Sequence, residues 1–322
     1  MGFPRPFPAQ QAAYVLTNLV AACAIVFANK AVLSILQFKF TVALTCIHTL
    51  VTLIASRSLR AVGLIAPKKL SLRAVVALAA AFTGYIVLCN VSLAVNTVGF
   101  YQLTKIAIAP TVLLMDAVSR RQVPDAKVAI CVMVVCIGIG LATVFDTDIM
   151  TNLPGIVVGV VSVVVSAQYG IWIGSMTKQY EVTSLQLLDQ YLPYATSMLA
   201  LCVPIESFLV RRASMSAGGA GTSLWTFPYT TVAINMIAAS AFLGVLVTFS
   251  TFLVIGSTSP LTYAITGHVK TVAIIVGGAV IFHDRVTNLK SIGITIALAG
   301  VVGYTHLQLT RRRAENASPL KA

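Results

Sequence analysis

The stretch VGFYQLTKIAIAPTVLLMDAV, from Val98 to Val118, is an apolar run that carries one lysine, Lys105, near its middle. A helix needs about 20 predominantly apolar residues to cross the hydrocarbon core of a bilayer. The run is therefore predicted to be a membrane-spanning helix. A lysine at that depth costs at least about 2.5 kcal/mol on insertion scales, so it is expected to face a partner or a water-filled cavity.

The rest of the chain repeats this pattern. Of its 322 residues 58% are hydrophobic and 10% are charged, and the mean hydropathy is +0.92, which excludes a soluble globular protein. Apolar runs of similar length predict ten spans, at residues 10–33, 40–62, 72–94, 97–118, 124–144, 153–177, 183–209, 228–254, 258–282 and 286–308. The first run is expected to be a span rather than a signal or transit peptide. We therefore predict an all-α membrane protein that forms a single ten-helix domain in the lipid bilayer.

The two halves of the chain resemble each other, because Lys270 occupies the same place in the ninth span as Lys105 in the fourth. Five spans per half is an odd number, so the two halves must insert with opposite orientation. The sequence thus predicts two inverted five-helix repeats, residues 10–144 and 153–308, followed by a polar tail at 309–322.

The basic residues predict the orientation in the membrane. Of the 22 lysines and arginines, fourteen lie on the side of the termini, five lie on the opposite side, and Lys30, Lys105 and Lys270 lie inside spans. Cytoplasmic loops carry the excess of basic residues, so both termini are expected in the cytosol. The formal charge of +13 is explained by this loop pattern, and no nucleic-acid partner is expected.

The lysines inside the spans indicate an anionic ligand. All nine acidic residues are predicted to lie at span ends or in loops, so none is deep enough to neutralise Lys105 or Lys270. The alternative is that each lysine donates to backbone carbonyl groups of a broken helix. Lys30 lies nearer the end of its span, where it could instead reach the interface.

Polar and aromatic neighbours suit a phosphorylated, hydroxyl-rich ligand. Rings can stack a base or sugar, while hydroxyl and amide groups fix its orientation. Interhelical hydrogen bonding is the alternative role for any one of these groups. The further candidate ligand-binding residues are Asn29, Tyr101, Gln102, Tyr263, His268 and Thr271.

Sequence signatures of catalysis are absent from the chain. It contains no P-loop, no HExxH motif, no nucleophile elbow and no cysteine and histidine spacing typical of a metal site. We therefore expect neither an enzyme, nor a cofactor, nor a bound metal.

Four stretches resemble the nucleotide-sugar and triose-phosphate transporter family of the drug/metabolite transporter superfamily. They are NKAVLSILQFKFTVALTCIHTL from Asn29, NTVGFYQLTKIAIAP from Asn96, TSLQLLDQYLPY from Thr183 and FSTFLVIGSTSPLTYAITGHVKT from Phe249. The resemblance implies that Lys105 and Lys270 bind phosphate and that the first-span pair Asn29–Lys30 also contributes.

The pair Lys270–Thr271 resembles the Lys-Thr subgroup, whose plant members carry UDP-xylose, UDP-galactose or UDP-rhamnose into the Golgi in exchange for UMP. The resemblance thus implies a Golgi antiporter whose ligands are a nucleotide sugar and a nucleoside monophosphate. Plastid sugar-phosphate translocators carry Lys-Arg there, and the Gly-Ala-Leu-Asn-Lys motif of GDP-mannose carriers is absent. A phosphoenolpyruvate or triose-phosphate translocator and a non-transporting membrane scaffold are the alternatives, and the endoplasmic reticulum and a homodimer stay open.

Overall fold

The computed structural model describes residues 8–121, 123–143, 153–216, 223–282 and 287–317. Over these residues it contains ten α-helices and no β-strand. The helices are α1 Pro8–Lys30, α2 Thr41–Ala61, α3 Leu72–Val95, α4 Val98–Arg120, α5 Ala126–Thr143, α6 Leu153–Gln179, α7 Ser184–Ser216, α8 Thr231–Ser257, α9 Pro260–Phe282 and α10 Asn288–Ala317. A π-helical turn, Ala31–Ile35, continues α1, and a 3-10 turn, Leu224–Thr226, precedes α8.

Each predicted span coincides with one of these helices, but two helices are longer than predicted. Helix α7 continues to Ser216 instead of ending at 209, and α10 continues to Ala317, so the predicted tail is helical in its first part. Both extensions contain arginine, alanine and methionine or glutamate, which favour helix even outside an apolar run. The rest of the predicted tail, 318–322, lies outside the described residues, and so do residues 217–222 between the seventh and eighth predicted spans.

Eight of the described helices are long and apolar enough to cross a membrane, which confirms an all-α membrane protein. The other two are α4 and α9, and in α9 an apolar helical stretch is described over Pro260–Val276. These are the helices that carry Lys105 and Lys270.

The chain divides into two compact units. The first unit comprises Met1–Asn90 and Tyr169–Pro260, and the second comprises Val91–Gln168 and Leu261–Ala322. In the first unit α1 packs against α8, and α2 packs against α7. In the second unit the most extensive helix pair is α5 with α10.

One end of the α2–α7 pair is joined by a buried carboxylate, Asp189. It forms ion pairs with Arg57 at 3.2 Å and Arg60 at 3.1 Å. Its other oxygen accepts a hydrogen bond of 2.9 Å from the Ser56 hydroxyl. A buried charge is costly unless it is paired and hydrogen-bonded, and Asp189 meets both conditions.

The other end of this pair is joined by Glu206 of α7, a residue near the end of the predicted seventh span. Its carboxylate accepts hydrogen bonds from the backbone N–H groups of Val42 at 2.7 Å and Ala43 at 2.9 Å, and from the Thr41 hydroxyl at 3.1 Å. These groups belong to the first turn of α2. The N–H groups in the first turn of a helix have no acceptor within that helix. Glu206 therefore caps α2 from another helix and complements its dipole.

In the second unit α5 and α10 approach until their backbones touch. A Cβ atom added to Gly293 would lie 2.6 Å from the backbone nitrogen of Ala142 and from the carbonyl oxygen of Gly138. Small residues at such crossings allow dispersion contacts between backbones, which drive helix association in membranes. This crossing anchors α10 against α5.

Asp125 caps the N-terminus of α5. Its carboxylate accepts from the backbone N–H of Lys127 at 2.7 Å and of Val128 at 3.4 Å, and it pairs with Arg311 of α10. These backbone bonds, with a smaller contribution from the Arg311 charge, lower the pKa of the Asp125 carboxyl. The cap thus holds a negative charge where the α5 dipole favours one.

Candidate functional site

Helix α4 carries Lys105 above an aromatic ring of the preceding turn. The helix begins after Thr97, whose hydroxyl accepts from the Phe100 N–H at 3.4 Å. The Lys105 ammonium nitrogen lies 5.0 Å from the centre of the Tyr101 ring. Residues four apart share one face of a helix, so the cation and the ring meet without distorting α4. The neighbouring Gln102 is half-buried.

Helix α9 repeats the arrangement with a wider spacing. It starts at Pro260, a residue favoured in the first turn because it has no N–H to leave unpaired. Two turns separate Tyr263 from Lys270, and the ammonium nitrogen lies 4.8 Å from the centre of the ring. Among the ion pairs of the described residues, none involves Lys270.

Helix α9 carries two further candidate ligand-binding residues, Thr271 and His268. The Thr271 hydroxyl donates to the Gly267 carbonyl oxygen at 3.2 Å, within the helix. His268 is buried, and its Nε2 atom has no hydrogen-bond partner among the described residues. A buried polar atom without a partner is rare, and such atoms mark places where water or a ligand completes the site.

One apolar core supports both lysine-bearing helices. Ile106 and Ala109 of α4 and Ile265 and Val272 of α9 belong to the same buried cluster, together with Cys136 of α5. The structure therefore places seven of the nine predicted ligand-binding residues in the second unit, on two helices that share a core. Asn29 and Lys30 belong to the first unit.

Asn29 and Lys30 lie where the geometry of α1 changes. The π-helical turn starts immediately after Lys30, whose side chain is exposed. Such turns are rare and frequently occur at functional sites. The side-chain carbonyl oxygen of Asn29, Oδ1, accepts a hydrogen bond of 2.5 Å from the Ser240 hydroxyl of α8.

Two polar residues of the first unit were not identified from sequence. His48 of α2 lies with its Nε2 atom 2.9 Å from the Ser240 hydroxyl oxygen, so it is linked to Asn29 through Ser240. His48 stands in an apolar span and could have been suspected for that reason. Ser240 gave no such signal, because serine is common in packed membrane helices.

The two lysine and tyrosine pairs have a chemistry that can hold anions. An ammonium group over an aromatic face gains roughly 0.5 to 2 kcal/mol. A hydrogen bond from a charged donor to phosphate contributes about 1.5 to 3 kcal/mol, so a phosphate can draw the ammonium group from the ring. Each ring thus offers its lysine a favourable position in the absence of an anion.

Comparison with known proteins identifies the family. Residues 10–305 match the model of the Triose-phosphate Transporter family. UDP-xylose transporter 2 of Arabidopsis thaliana is 32% identical over 306 residues, which cover 94% of this chain and 84% of that protein. UDP-xylose transporter 3 is 34% identical over 289 residues, covering 90% and 78%, and UDP-rhamnose/UDP-galactose transporter 1 is 30% identical over 305 residues, covering 94% and 85%. Both come from the same plant.

A solved structure, described only as a crystal structure of a protein, has the same fold. It superposes with a TM-score of 0.70 at 14% sequence identity, covering 95% of this chain and 99% of the other. The family match and the relatives confirm both the resemblance and the expectation that the chain is not an enzyme. The chain therefore belongs to the Triose-phosphate Transporter family and is a multi-pass membrane transporter.

Proposed function

We propose that this transporter exchanges a UDP-sugar for UMP across the Golgi membrane. The observation that carries the proposal is the pair of lysines on α4 and α9, each above a tyrosine and both supported by one core. Relatives named as UDP-xylose and UDP-rhamnose/UDP-galactose transporters support the choice of nucleotide. Lys105 and Lys270 bind the phosphates in this proposal, and Asn29 and Lys30 contribute to ligand binding.

The proposed architecture is a single domain of ten spans in two inverted repeats, with both termini in the cytosol. Inverted repeats require the second and seventh helices to run antiparallel, and likewise the fifth and tenth. Glu206 lies near the start of α2 and Asp189 near its end, which supports antiparallel packing of α2 and α7. The contact of Asp125 with Arg311 supports the same for α5 and α10, since these residues lie at opposite ends of their helices.

In this proposal, the positive charges of Lys105 and Lys270 explain why transport is a coupled exchange. Two ammonium groups at membrane depth are costly, and phosphate neutralises them. The loaded protein then changes its open side more readily than the empty one, because the ligand stabilises the intermediate occluded state. A sugar nucleotide moving one way is thereby coupled to UMP moving back.

Two other functions were considered. A phosphoenolpyruvate or triose-phosphate translocator would use the same lysines, but the relatives described above are named for UDP-sugars. A non-transporting scaffold would leave the Lys105 and Lys270 pairs without a purpose. Neither alternative is favoured by a feature of the described residues.

Exchange in proteoliposomes distinguishes these functions. Vesicles preloaded with UMP are expected to take up UDP-xylose, UDP-galactose or UDP-rhamnose, and vesicles without UMP are expected to take up little. GDP-mannose, CMP-sialic acid, phosphoenolpyruvate and phosphate serve as competitors. Uptake of phosphoenolpyruvate against phosphate would identify the translocator, and no uptake of any compound by folded protein would favour the scaffold.

The orientation is tested with an epitope tag. A tag placed after Ala322 is expected to be accessible to antibody when only the plasma membrane is permeabilised, because fourteen basic residues lie on the side of the termini and five on the other. A tag inserted after Gly219, in the loop between the seventh and eighth spans, is the control and should require opening of the organelle. The reverse pattern would show that the predicted orientation is wrong.

A further inference from the structure

Helices α1 and α8 are bridged by two asparagine and serine pairs that differ in one respect. At one level the Asn18 amide nitrogen donates to the Ser250 hydroxyl oxygen at 2.8 Å. At the other level the direction is reversed, since the Ser240 hydroxyl donates to the Asn29 carbonyl oxygen at 2.5 Å. The first pair uses the amide N–H groups of its asparagine, whereas the second uses only the carbonyl oxygen.

His48 is a third member of the second pair. Its Nε2 atom is 2.9 Å from the Ser240 hydroxyl oxygen. A serine hydroxyl has one hydrogen, and if that hydrogen is donated to Asn29, His48 must donate to the serine oxygen. This requires the tautomer of His48 that carries hydrogen on Nε2. The hydrogen bonds at the Ser250 level run the other way. There Asn18 donates to Ser250, and Ser250 donates to the Leu246 carbonyl oxygen at 2.6 Å.

The imidazole of His48 is held in place by packing. The residue is 8% exposed, and Gly244 of α8 lies against the ring. A Cβ atom added to Gly244 would lie 3.0 Å from Cγ of His48, so any larger residue would require the ring to shift by a few tenths of an ångström. The ring is therefore fixed with its Nε2 atom toward Ser240.

Fixing the carbonyl oxygen of Asn29 also fixes the other end of its carboxamide. The amide nitrogen has no hydrogen bond to any residue that the structure describes, and the side chain is half-buried beside Lys30. Two N–H donors thus point away from Ser240 in a preset direction. Donors held in advance bind an acceptor without the entropy cost of ordering them.

We propose that His48 and Ser240 are positioning residues that orient the Asn29 carboxamide, so that its N–H groups donate to an oxygen atom of the transported nucleotide. The inference rests on the proposed function, because it takes the phosphorylated nucleotide as the ligand. His48 and Ser240 do not touch the ligand in this arrangement. Their effect on binding passes through Asn29.

A double-mutant cycle tests this route. Binding of UMP and of UDP-xylose to purified protein is measured for wild type, Ser240→Ala, Asn29→Ala and the double variant. Each single variant is expected to weaken binding about fivefold to tenfold, the effect of one neutral hydrogen bond. In the Asn29→Ala background, Ser240→Ala should change the Kd by less than about twofold, since contacting residues that act as a unit are not additive.

Two further variants separate positioning from structural support. His48→Phe keeps an aromatic ring against Gly244 but removes the N–H donor, and it should match Ser240→Ala. Ser240→Thr keeps the hydroxyl and should recover binding to within about twofold of wild type. Ser250→Ala, the matched serine of the other bridge, should leave the Kd unchanged, and thermal melting of every variant shows which are folded.

The outcomes separate the inference from the proposed function. Equal loss of affinity from Ser240→Ala with and without Asn29 would overturn the positioning role, as would wild-type affinity in folded His48→Phe protein. Failure of both alanine variants to fold, with Ser240→Thr folded but still weak, would also overturn it. Wild-type protein that binds neither nucleotide would overturn the proposed function, and this inference with it.

Discussion

Lys270→Ala is expected to abolish nucleotide exchange while the protein still folds and reaches its membrane. The Lys270 ammonium group lies 4.8 Å from the centre of the Tyr263 ring and takes part in no ion pair among the described residues, so its removal leaves no buried carboxylate uncompensated. A charge-assisted bond to phosphate contributes about 1.5 to 3 kcal/mol, which corresponds to a loss of one to two decades in affinity. Binding of UMP to purified protein measures this loss directly.

The control for charge alone is Lys127→Ala, which removes an exposed lysine at the start of α5 and should leave exchange unchanged. Lys270→Arg tests shape, because a planar guanidinium cannot replace a compact ammonium group without moving its neighbours. It should bind more weakly than wild type. Wild-type UMP affinity in Lys270→Ala protein would exclude a phosphate contact even if transport failed, and misfolded protein would favour a structural role for the lysine.

Hydropathy alone predicted where the helices lie but not which way their side chains face. The run chosen as 97–118 is helix Val98–Arg120, and the run chosen as 258–282 is helix Pro260–Phe282. An apolar run has no polar stripe to show which face packs, because lipid and protein interior are equally apolar. On α5, Ile130 and Met133 are exposed while Val132 and Val135 are buried, and no difference in polarity separates the two faces.

The candidate site was predictable only for residues that are costly in a membrane. Lys105 and Lys270 were identified because a charged side chain inside a membrane span is energetically costly. Tyr101 and Tyr263 were identified as neighbours in sequence, with stacking on a base or sugar as their predicted role. The structure adds that one face of each ring is covered by an ammonium group of the same helix.

The polar chain from His48 to Asn29 could not be derived from sequence. Its members lie on α2, α8 and α1, and the two hydrogen bonds depend on how these helices rotate against one another. Spacing along a chain carries no information about such rotation. The same is true of Asp189 and Glu206, which were predicted to lie at span ends or in loops but serve as partners for α2.

Gly138→Ala is expected to destabilise the protein strongly. A Cβ atom at this position would overlap the backbone nitrogen of Ala297 and come within 2.7 Å of the Gly293 carbonyl oxygen. Both neighbours are backbone atoms of α10, so no side-chain rotation can relieve the overlap and the two helices must separate. Overpacking costs about 1 to 3 kcal/mol where side chains can adjust, and we expect a loss at or above the upper end of that range.

The matched control is Gly140→Ala in the same helix, where an added Cβ meets no atom within 4 Å. Alanine favours helix over glycine by about 1 kcal/mol, so this variant should be as stable as wild type or slightly more stable. Gly138→Ala gains the same propensity, and its lower stability would therefore report the α5–α10 crossing alone. Thermal unfolding of purified protein in detergent measures the difference as a lower melting temperature for Gly138→Ala. Equal melting temperatures for the two variants would contradict the close backbone contact between α5 and α10.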